Sequence, residues 1–437
     1  MNRRRVAVII LLSLTLIAVG VGFAMAPREK EFNPVPFSPP DHGNVLFILP
    51  HPDDEVISAG GLISYLQQTD CHLTFLYLTN GENFEWALEE EEGSNLLKPE
   101  EYLRFGYERQ RETKKALQDL GLSNPEMIFL GYPDRSLTAL LRENWSKDSP
   151  FFSKPLQANR TPFSNSFDPE ALFSGESLLE DLLKVLSLRT WDFVFLPSPY
   201  DSHPDHRAGA AFIRMALNQG KGYFPKEPVL VSYLVHRGNW PGQKGKSSSL
   251  LIPPPTLQDQ ALSWVSFPLS AESISKKDSA LKEYKSQLRI LSGYLFSFLR
   301  PNEIFCLEKE MVVLSNLTVL EPSGDTFWRT IFRGADFKSL SFSWQNGLKL
   351  KIETLGSFPS SFDLEIHILF FKNGLWTPIF FKDSFHNLPK SGGEIKRSGK
   401  EIQVFLPMER PELMVLEVSS RFWVNIDRSA CWVLSFP

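Results

Sequence analysis

The chain has 437 residues, of which 42% are hydrophobic and 22% are charged, as in ordinary globular proteins. Lys and Arg number 46 against 51 Asp and Glu, and the formal net charge of −5 lacks the basic excess typical of nucleic-acid-binding proteins. The three cysteines, Cys71, Cys306 and Cys431, are too few and too far apart for a disulfide framework or a zinc-binding spacing. This length predicts two or three domains.

The first residues predict a membrane anchor or a secretory signal. Residues 1–5 are basic, and residues 6–26 contain no charged side chain. About 20 apolar residues can span a bilayer, whereas the apolar region of a signal peptide is typically about 7–15 residues, so an uncleaved anchor is favoured over a cleaved signal. In both cases the arginines stay inside and the rest crosses the membrane. We therefore expect residues 1–28 to anchor an extracytoplasmic protein, which is periplasmic or secreted if the segment is cleaved.

Residues 29–42 contain several prolines and predict a linker. Apolar strand patterns then alternate with helical patterns. The strand patterns lie at 44–49, 73–78, 127–130 and 193–196, and the helical patterns at 100–120, 178–188 and 208–217. This alternation predicts a mostly parallel, doubly wound (Rossmann-like) α/β sheet. In such sheets ligands bind beyond the carboxyl ends of the strands, and here every strand pattern runs out into polar residues.

The composition changes after about residue 310. Short alternating patterns such as 340–344 and 364–368 are separated by Gly, Pro, Ser and Asn. They predict an all-β, sandwich-like domain. The predicted organisation is an anchor or signal at 1–28, a linker at 29–42, an α/β domain at 43–310 and an accessory β domain at 311–437.

Two related motifs follow the first and the fourth strand patterns: His51-Pro52-Asp53-Asp54 and His203-Pro204-Asp205-His206. Charged groups at the end of a buried strand need a partner, because unpaired carboxylates are costly to desolvate. Zinc binds imidazole nitrogens and carboxylate oxygens, and a catalytic zinc keeps one position open. Two such motifs at the ends of parallel strands can face one site. They predict a metal site for zinc, with another divalent ion left open.

A simpler explanation exists for a single copy of the motif. A lone His-Pro-Asp sequence is usually a turn whose aspartate caps the next helix. The second copy disfavours this explanation for Asp53 and Asp54, but it stays open for Asp205. His236 follows a strand-like run, and it either lines the site or packs elsewhere.

The two motifs resemble the signature of the PIG-L/LmbE family of zinc-dependent N-acetylglucosaminyl deacetylases. The segments 79–82 and 109–112 are similar to further blocks of that family, and 236–237, 284–287 and 300–303 look like a subgroup of it. The resemblance covers about 43–310 and does not reach the β domain. It implies zinc bound by His51, Asp54 and His206.

The resemblance also implies roles for the neighbouring residues. Asp53 would be the general base, His203 would stabilise the oxyanion, and Asp205 would orient His203. Arg109 and Asp134 resemble positions that contact the sugar or its aglycone, and His236 is a third candidate for substrate contact.

The implied reaction removes the N-acetyl group from an N-acetylglucosamine-containing glycoconjugate by attack of a zinc-bound water, which releases acetate. The expected partners are this glycoconjugate and a membrane, and no nucleic acid. Two alternatives stay open: a metal-dependent hydrolase of another bond, such as a different amide, and a catalytically inactive surface glycan-binding protein. The intact Asp53 disfavours the latter, because an inactive site needs no base. The β domain either binds glycan or covers the sheet.

Overall fold

The computed structural model describes residues 35–221, 226–258, 262–313, 316–322, 333–344, 346–383, 393–422 and 424–436. The predicted anchor at 1–28 lies outside these residues. Within the described ranges, no helix combines the length and the apolar character that a membrane crossing requires.

An eight-stranded sheet lies at the centre of the N-terminal part, in the spatial order β1-β7-β8-β6-β5-β2-β3-β4. Its strands are β1 (Val35–Pro36), β2 (His42–Leu49), β3 (Asp70–Thr79), β4 (Glu126–Tyr132), β5 (Phe193–Pro197), β6 (Val229–Tyr233), β7 (Ser263–Pro268) and β8 (Asn302–Leu307). Strands β2 to β6 run parallel, and β8 is antiparallel to both of its neighbours. The predicted α/β fold class is confirmed.

Helices cover both faces of this sheet. They are α1 (Asp54–Leu66), α2 (Glu85–Glu92), α3 (Pro99–Asp119), α4 (Leu137–Arg142), α5 (Gly175–Leu186), α6 (Pro204–Gln219), α7 (Pro255–Gln258), α8 (Ala271–Glu283) and α9 (Lys285–Leu295). Alternate residues of β2 supply two separate cores. Val45, Phe47 and Leu49 pack with α1, α3 and α8, whereas Leu46 and Ile48 pack with α4, α5 and α6. A strand buried on both faces requires this continuous apolar run.

The order of the strands reverses between β2 and β5. Strands β3 and β4 extend the sheet on one side of β2, and β5 and β6 extend it on the other. The helices that follow β2 and β5, which are α1 and α6, lie on opposite faces. Such a switch point opens a crevice beyond the carboxyl ends of the strands. Both predicted motifs open onto this crevice, because His51 follows β2 and His203 precedes α6.

Some elements differ from the expectations. The predicted linker at 29–42 contains β1, and α2 lies between the strand pattern at 73–78 and the helical pattern at 100–120, where the sequence patterns predict no element. Strand β1 is two residues long, too short for a hydrophobic period. Strand β8 begins with the polar residues Asn302 and Glu303. They can be buried because Asn302 forms a hydrogen bond and Glu303 an ion pair with other side chains. A hydrophobic pattern does not reveal such positions.

The C-terminal part contains two antiparallel sheets. One has the order β14-β15-β11-β10-β9, and the other has β13-β12-β16-β17 with β18 also paired to β16. The strands are β9 (Asn316–Leu320), β10 (Phe337–Trp344), β11 (Leu348–Thr354), β12 (Asp363–Lys372), β13 (Leu375–Asp383), β14 (Glu394–Ser398), β15 (Glu401–Leu406), β16 (Leu413–Phe422), β17 (Val424–Arg428) and β18 (Trp432–Ser435). Leu340 and Ile352 of the first sheet share a core with Ile366 and Leu416 of the second. The expected all-β, sandwich-like part is confirmed; the predicted domain boundaries stay a prediction.

The second sheet of this sandwich packs on the helices of the α/β part. Leu369 and Val415 lie in the same core as α5 and α6. Arg142, the last residue of α4, donates from Nε to Glu417 Oε2 over 3.0 Å. Arg428 Nε lies 3.4 Å from the other oxygen of Glu417. The two parts therefore share a boundary that contains a buried charge network.

We expect Glu417→Ala to lower the free energy of unfolding by about 3–5 kcal/mol, because Arg142 would be left buried without its carboxylate. Equilibrium denaturation measures this loss. Glu409→Ala, which removes an exposed pair with Lys372, is the control and should behave like the wild type. Equal stabilities of the two variants would show that the boundary does not depend on this network.

Candidate functional site

The loop after β2 has a sharp turn at Asp53. Its φ is 121°, which is uncommon for a residue with a side chain. Such a conformation costs of the order of 1–3 kcal/mol and persists only where the surroundings enforce it. The turn lets α1 begin at Asp54, and Asp54 Oδ2 accepts a hydrogen bond of 2.9 Å from the amide of His51. His51, Asp53 and Asp54 are thereby held close together.

The structure brings the three predicted metal ligands to one point. Asp54 Oδ2 lies 3.5 Å from His51 Nδ1 and 3.2 Å from His206 Nε2. The rings of His51 and His206 have centroids 5.3 Å apart. All three residues are buried. One motif from β2 and one from β5 therefore contribute to a single site, as the parallel strand ends predict.

Each of the two histidines has a buried carboxylate at its other ring nitrogen. His51 Nε2 lies 3.1 Å from Asp134 Oδ1 and 3.5 Å from Asp205 Oδ2. His206 Nδ1 lies 3.2 Å from Asp201 Oδ2. A carboxylate in this position fixes the tautomer and the orientation of a metal-binding histidine. His51 Nδ1 and His206 Nε2 are then the nitrogens that can bind a cation.

These residues fit a divalent metal ion. Within the described part of the chain, His206 Nε2 is buried without a well-directed hydrogen bond and faces Asp54. Buried polar atoms normally have such partners, so this nitrogen indicates a cation site. Ligand atoms of His51, His203 and His206 lie within 4.8 Å of one another. Imidazole with carboxylate suits zinc and is also accepted by other divalent ions.

The charges of the site explain two shifted pKa values. Burial opposes the charged form of Asp54, but His206 and His51 outweigh it and hold the pKa of this carboxyl far below its usual range. Burial likewise opposes the charge of His206, but Asp54 and Asp201 raise its pKa to about 10. A metal ion would compete with the proton on this ring, so binding should release it.

The predicted general base, Asp53, is held by Arg109 of α3. Arg109 Nη2 donates to Asp53 Oδ2 over 3.1 Å and to the Pro52 carbonyl, while Nη1 donates to the Gly81 carbonyl over 2.8 Å. Burial raises the pKa of Asp53 to about 6, although Arg109 lowers it. A carboxyl with a pKa near the working pH suits proton transfer. Arg109 thus binds Asp53, and its predicted contact with the sugar stays a prediction.

His203 is the N-cap of α6, and its Nδ1 accepts a hydrogen bond of 3.2 Å from the Asp205 amide. The orienting contact therefore comes from the backbone of Asp205 rather than from its carboxylate. The carboxylate accepts from the amides of Arg135 and Leu137 over 2.6 and 3.1 Å. Burial lowers the pKa of His203 to about 2. A neutral His203 with Nδ1 as acceptor carries its proton on Nε2 and can donate from there.

The remaining predicted residues differ in exposure. Asp134 is buried against His51, and its amide donates to Glu82 Oε1 over 2.9 Å. His236 has a side chain 33% exposed, with Nδ1 3.2 Å from Asp201 Oδ1. Its ring centroid lies 5.1 Å from that of His203. His236 therefore lines the site, and its contact with a substrate stays a prediction.

Sequence reasoning missed Asp201. Its carboxylate accepts from the amides of His203, Val235 and His236 over 2.8, 3.1 and 2.9 Å. It also faces His206, so it joins the loops after β5 and β6 to the candidate metal site. In the sequence it looks like a turn residue between Pro199 and His203. Its position in the strand-end loop, just before the second motif, was the available signal.

We expect Asp201→Asn to weaken divalent-metal affinity by about 10–100-fold, because His206 loses the anion that orients it. Competition with a coloured chelator measures this affinity. Asp181→Asn is the matched control. Asp181 of α5 is also a buried carboxylate, and it accepts a hydrogen bond from the Tyr132 hydroxyl. Unchanged affinity in Asp201→Asn would contradict the orienting role.

Comparison with known proteins adds three findings. Residues 46–217 match the PIG-L family, described as GlcNAc-PI de-N-acetylase. No curated protein matches the chain. Among solved structures, the chain is 19% identical to N,N'-diacetylchitobiose deacetylase from Pyrococcus horikoshii, with a TM-score of 0.36 over 61% of this chain and 83% of that chain.

Two further solved structures resemble the chain at similar levels. A deacetylase of the teicoplanin biosynthesis pathway is 18% identical, with a TM-score of 0.39 over 60% of this chain and 97% of its own. The 4-carboxy-2-hydroxymuconate hydratase from Pseudomonas putida KT2440 is 17% identical, with a TM-score of 0.34 over 59% of this chain and 82% of its own. The family match includes both motifs and ends before His236.

Proposed function

We propose that this chain, whose residues 46–217 match the PIG-L family, is a metal-dependent deacetylase. The substrate would be an N-acetylglucosamine-containing glycoconjugate, and the products acetate and a free amino sugar. The observation that best supports this proposal is the placement of Asp53. It directly precedes Asp54 in the turn at the crevice where the strand order reverses, and Asp54 forms with His51 and His206 a group of three buried residues that fit a metal ion.

Zinc is the ion we propose, held by His51, Asp54 and His206. Once bound, such an ion supplies the positive charge that acidifies a water molecule and polarises an acyl carbonyl. The donor atoms would be His51 Nδ1, the Asp54 carboxylate and His206 Nε2.

Asp53 takes the proton of the attacking water. With a pKa of about 6, it is ionised at neutral pH, and Arg109 fixes one of its oxygens. General-base catalysis of this kind contributes roughly 10²–10⁴-fold in rate. The proton held on Asp53 then passes to the nitrogen of the leaving amine as the amide bond breaks. Asp53 returns to its ionised form.

His203 stabilises the oxygen of the acyl group as negative charge develops on it. The Asp205 amide occupies Nδ1, so the donor is Nε2–H of a neutral ring. One well-placed donor of this type contributes about 3–4 kcal/mol to transition-state stabilisation. Asp205 acts on His203 through its amide and on His51 through its carboxylate.

Substrate contact is proposed for His236 first. Its side chain is partly exposed, whereas Arg109 and Asp134 are buried and already hold Asp53 and His51. We also propose, from the sequence alone, that residues 1–28 place the catalytic domain on the extracytoplasmic side of a membrane. An envelope glycan or a glycolipid would suit that location.

The test uses the purified full chain with metal content and acetate release measured on N-acetylglucosamine conjugates. We expect wild type to hold about one metal ion and release acetate. Asp53→Asn should keep the metal and lose about 10²–10⁴-fold in kcat, and His206→Ala should lose both. Asp70→Asn, at the exposed start of β3, is the control and should match the wild type.

Each contrary result has its own meaning. A wild type without metal would overturn the proposed metal site and leave a glycan-binding protein as the better reading. A metal-loaded wild type that releases no acetate from any conjugate would preserve the site and reject the substrate class.

A further inference from the structure

The strained backbone at Asp53 needs a contact that holds it. Its carbonyl accepts the first hydrogen bonds of α1, from Val56 and Ile57 over 3.1 and 3.0 Å. Arg109 binds the Asp53 side chain and also the Pro52 carbonyl, which belongs to the same peptide plane as the Asp53 amide. The amide is the second contact that holds this peptide plane, and its partner is Glu55.

Glu55 is fully buried in the first turn of α1. Its Oε2 accepts a hydrogen bond of 3.2 Å from the Asp53 amide. Its Oε1 accepts a hydrogen bond from the Tyr284 hydroxyl. The carboxylate therefore bridges the Asp53 backbone and a side chain that is 229 residues away along the chain.

Tyr284 is itself fixed. It is fully buried at the junction where α8 ends and α9 begins. Ser286, just after the junction, donates to Glu112 of α3 from both its amide and its hydroxyl, over 2.8 and 2.6 Å. Lys277 of α8 donates to the Ile57 carbonyl of α1 over 2.9 Å. The junction is thus tied to α3, which carries Arg109, and the helix before it is tied to α1, which carries Asp54.

We propose that Tyr284, acting through Glu55, is a positioning residue that holds the Asp53 backbone at its positive φ; this inference rests on the proposed role of Asp53. Both residues are fully buried and act through the Asp53 backbone. Tyr284 orients the Glu55 carboxylate, Glu55 binds the Asp53 amide, and the turn directs the Asp53 carboxylate beside the metal ligands. Tyr284 lies beyond residues 46–217, so the segment after the family match completes the site.

Tyr284→Phe in the full chain removes one hydroxyl and keeps the ring in the core. We expect kcat on an N-acetylglucosamine conjugate to fall by about 10–100-fold, because a displaced base costs rate in the transition state. KM and the bound metal should stay at wild-type values. A crystal structure of the variant should show Asp53 leaving its φ of 121°.

Tyr132→Phe is the matched control. It also deletes a buried tyrosine hydroxyl that donates to a buried carboxylate, here that of Asp181 over 2.9 Å. Its kcat and its Asp53 φ should equal those of the wild type. Glu55→Gln provides a conservative rescue, since its amide oxygen can accept from Asp53 and its NH₂ can donate to the Tyr284 oxygen. It should stay closer to wild type than Glu55→Ala.

Unchanged φ at Asp53 in Tyr284→Phe would overturn the positioning role, and so would an unchanged kcat or an equal loss in Tyr132→Phe. If the wild type deacetylates no conjugate, the proposed function fails. The crystal structure then decides alone: a shifted φ in Tyr284→Phe supports the positioning role and an unshifted φ overturns it.

Discussion

The site depends on carboxylates buried at the far nitrogens of His51 and His206. A buried carboxylate without donors is costly, and two of the carboxylates here, those of Asp205 and Asp201, have donors of their own. Asp205 accepts from the amides at the start of α4, and Asp201 accepts from amides in the loops after β5 and β6. The loops at the end of the sheet are therefore shaped by the need to satisfy charge. Apolar packing fixes the strands, and hydrogen bonds to carboxylates fix the loops.

The reversal of strand order makes this arrangement possible. Because α1 and α6 leave β2 and β5 toward opposite faces, the two motifs meet in a crevice instead of being covered by a helix. The same geometry explains why residues after 217 contribute. Tyr294 of α9 stacks on His236 with ring centroids 6.0 Å apart, and Glu303 of β8 accepts from the amides of Gly61 and Leu62 over 2.8 and 2.9 Å. These amides follow Ala59, where the helical dihedrals of α1 are interrupted.

Local patterns in the sequence were enough to predict strands β2 to β5 and the meeting of the two motifs. Each strand is an apolar run of ordinary length, and parallel strand ends must lie at one edge. The role of Tyr284 could not be read in this way, since its partner Glu55 is distant in sequence and no periodicity joins them. Asp205 shows a second limit. The family resemblance implies that Asp205 orients His203, but the N-cap geometry of α6 gives that contact to its amide and leaves the carboxylate for the amides beside α4.

The β domain is connected to the site through α4. This helix has only six residues, and an isolated helix of that length is unstable in water. It is held at both ends: the Asp205 carboxylate binds its first amide, where an anion is favoured by the helix dipole, and Arg142 at its end binds Glu417 of β16. Trp376 of β13 contacts Trp145 with ring centroids 5.7 Å apart and donates to Gln219 at the end of α6. This face of the sandwich thus covers the helices and helps to fix Asp205. The side chain of Trp376 serves packing between the two parts of the chain.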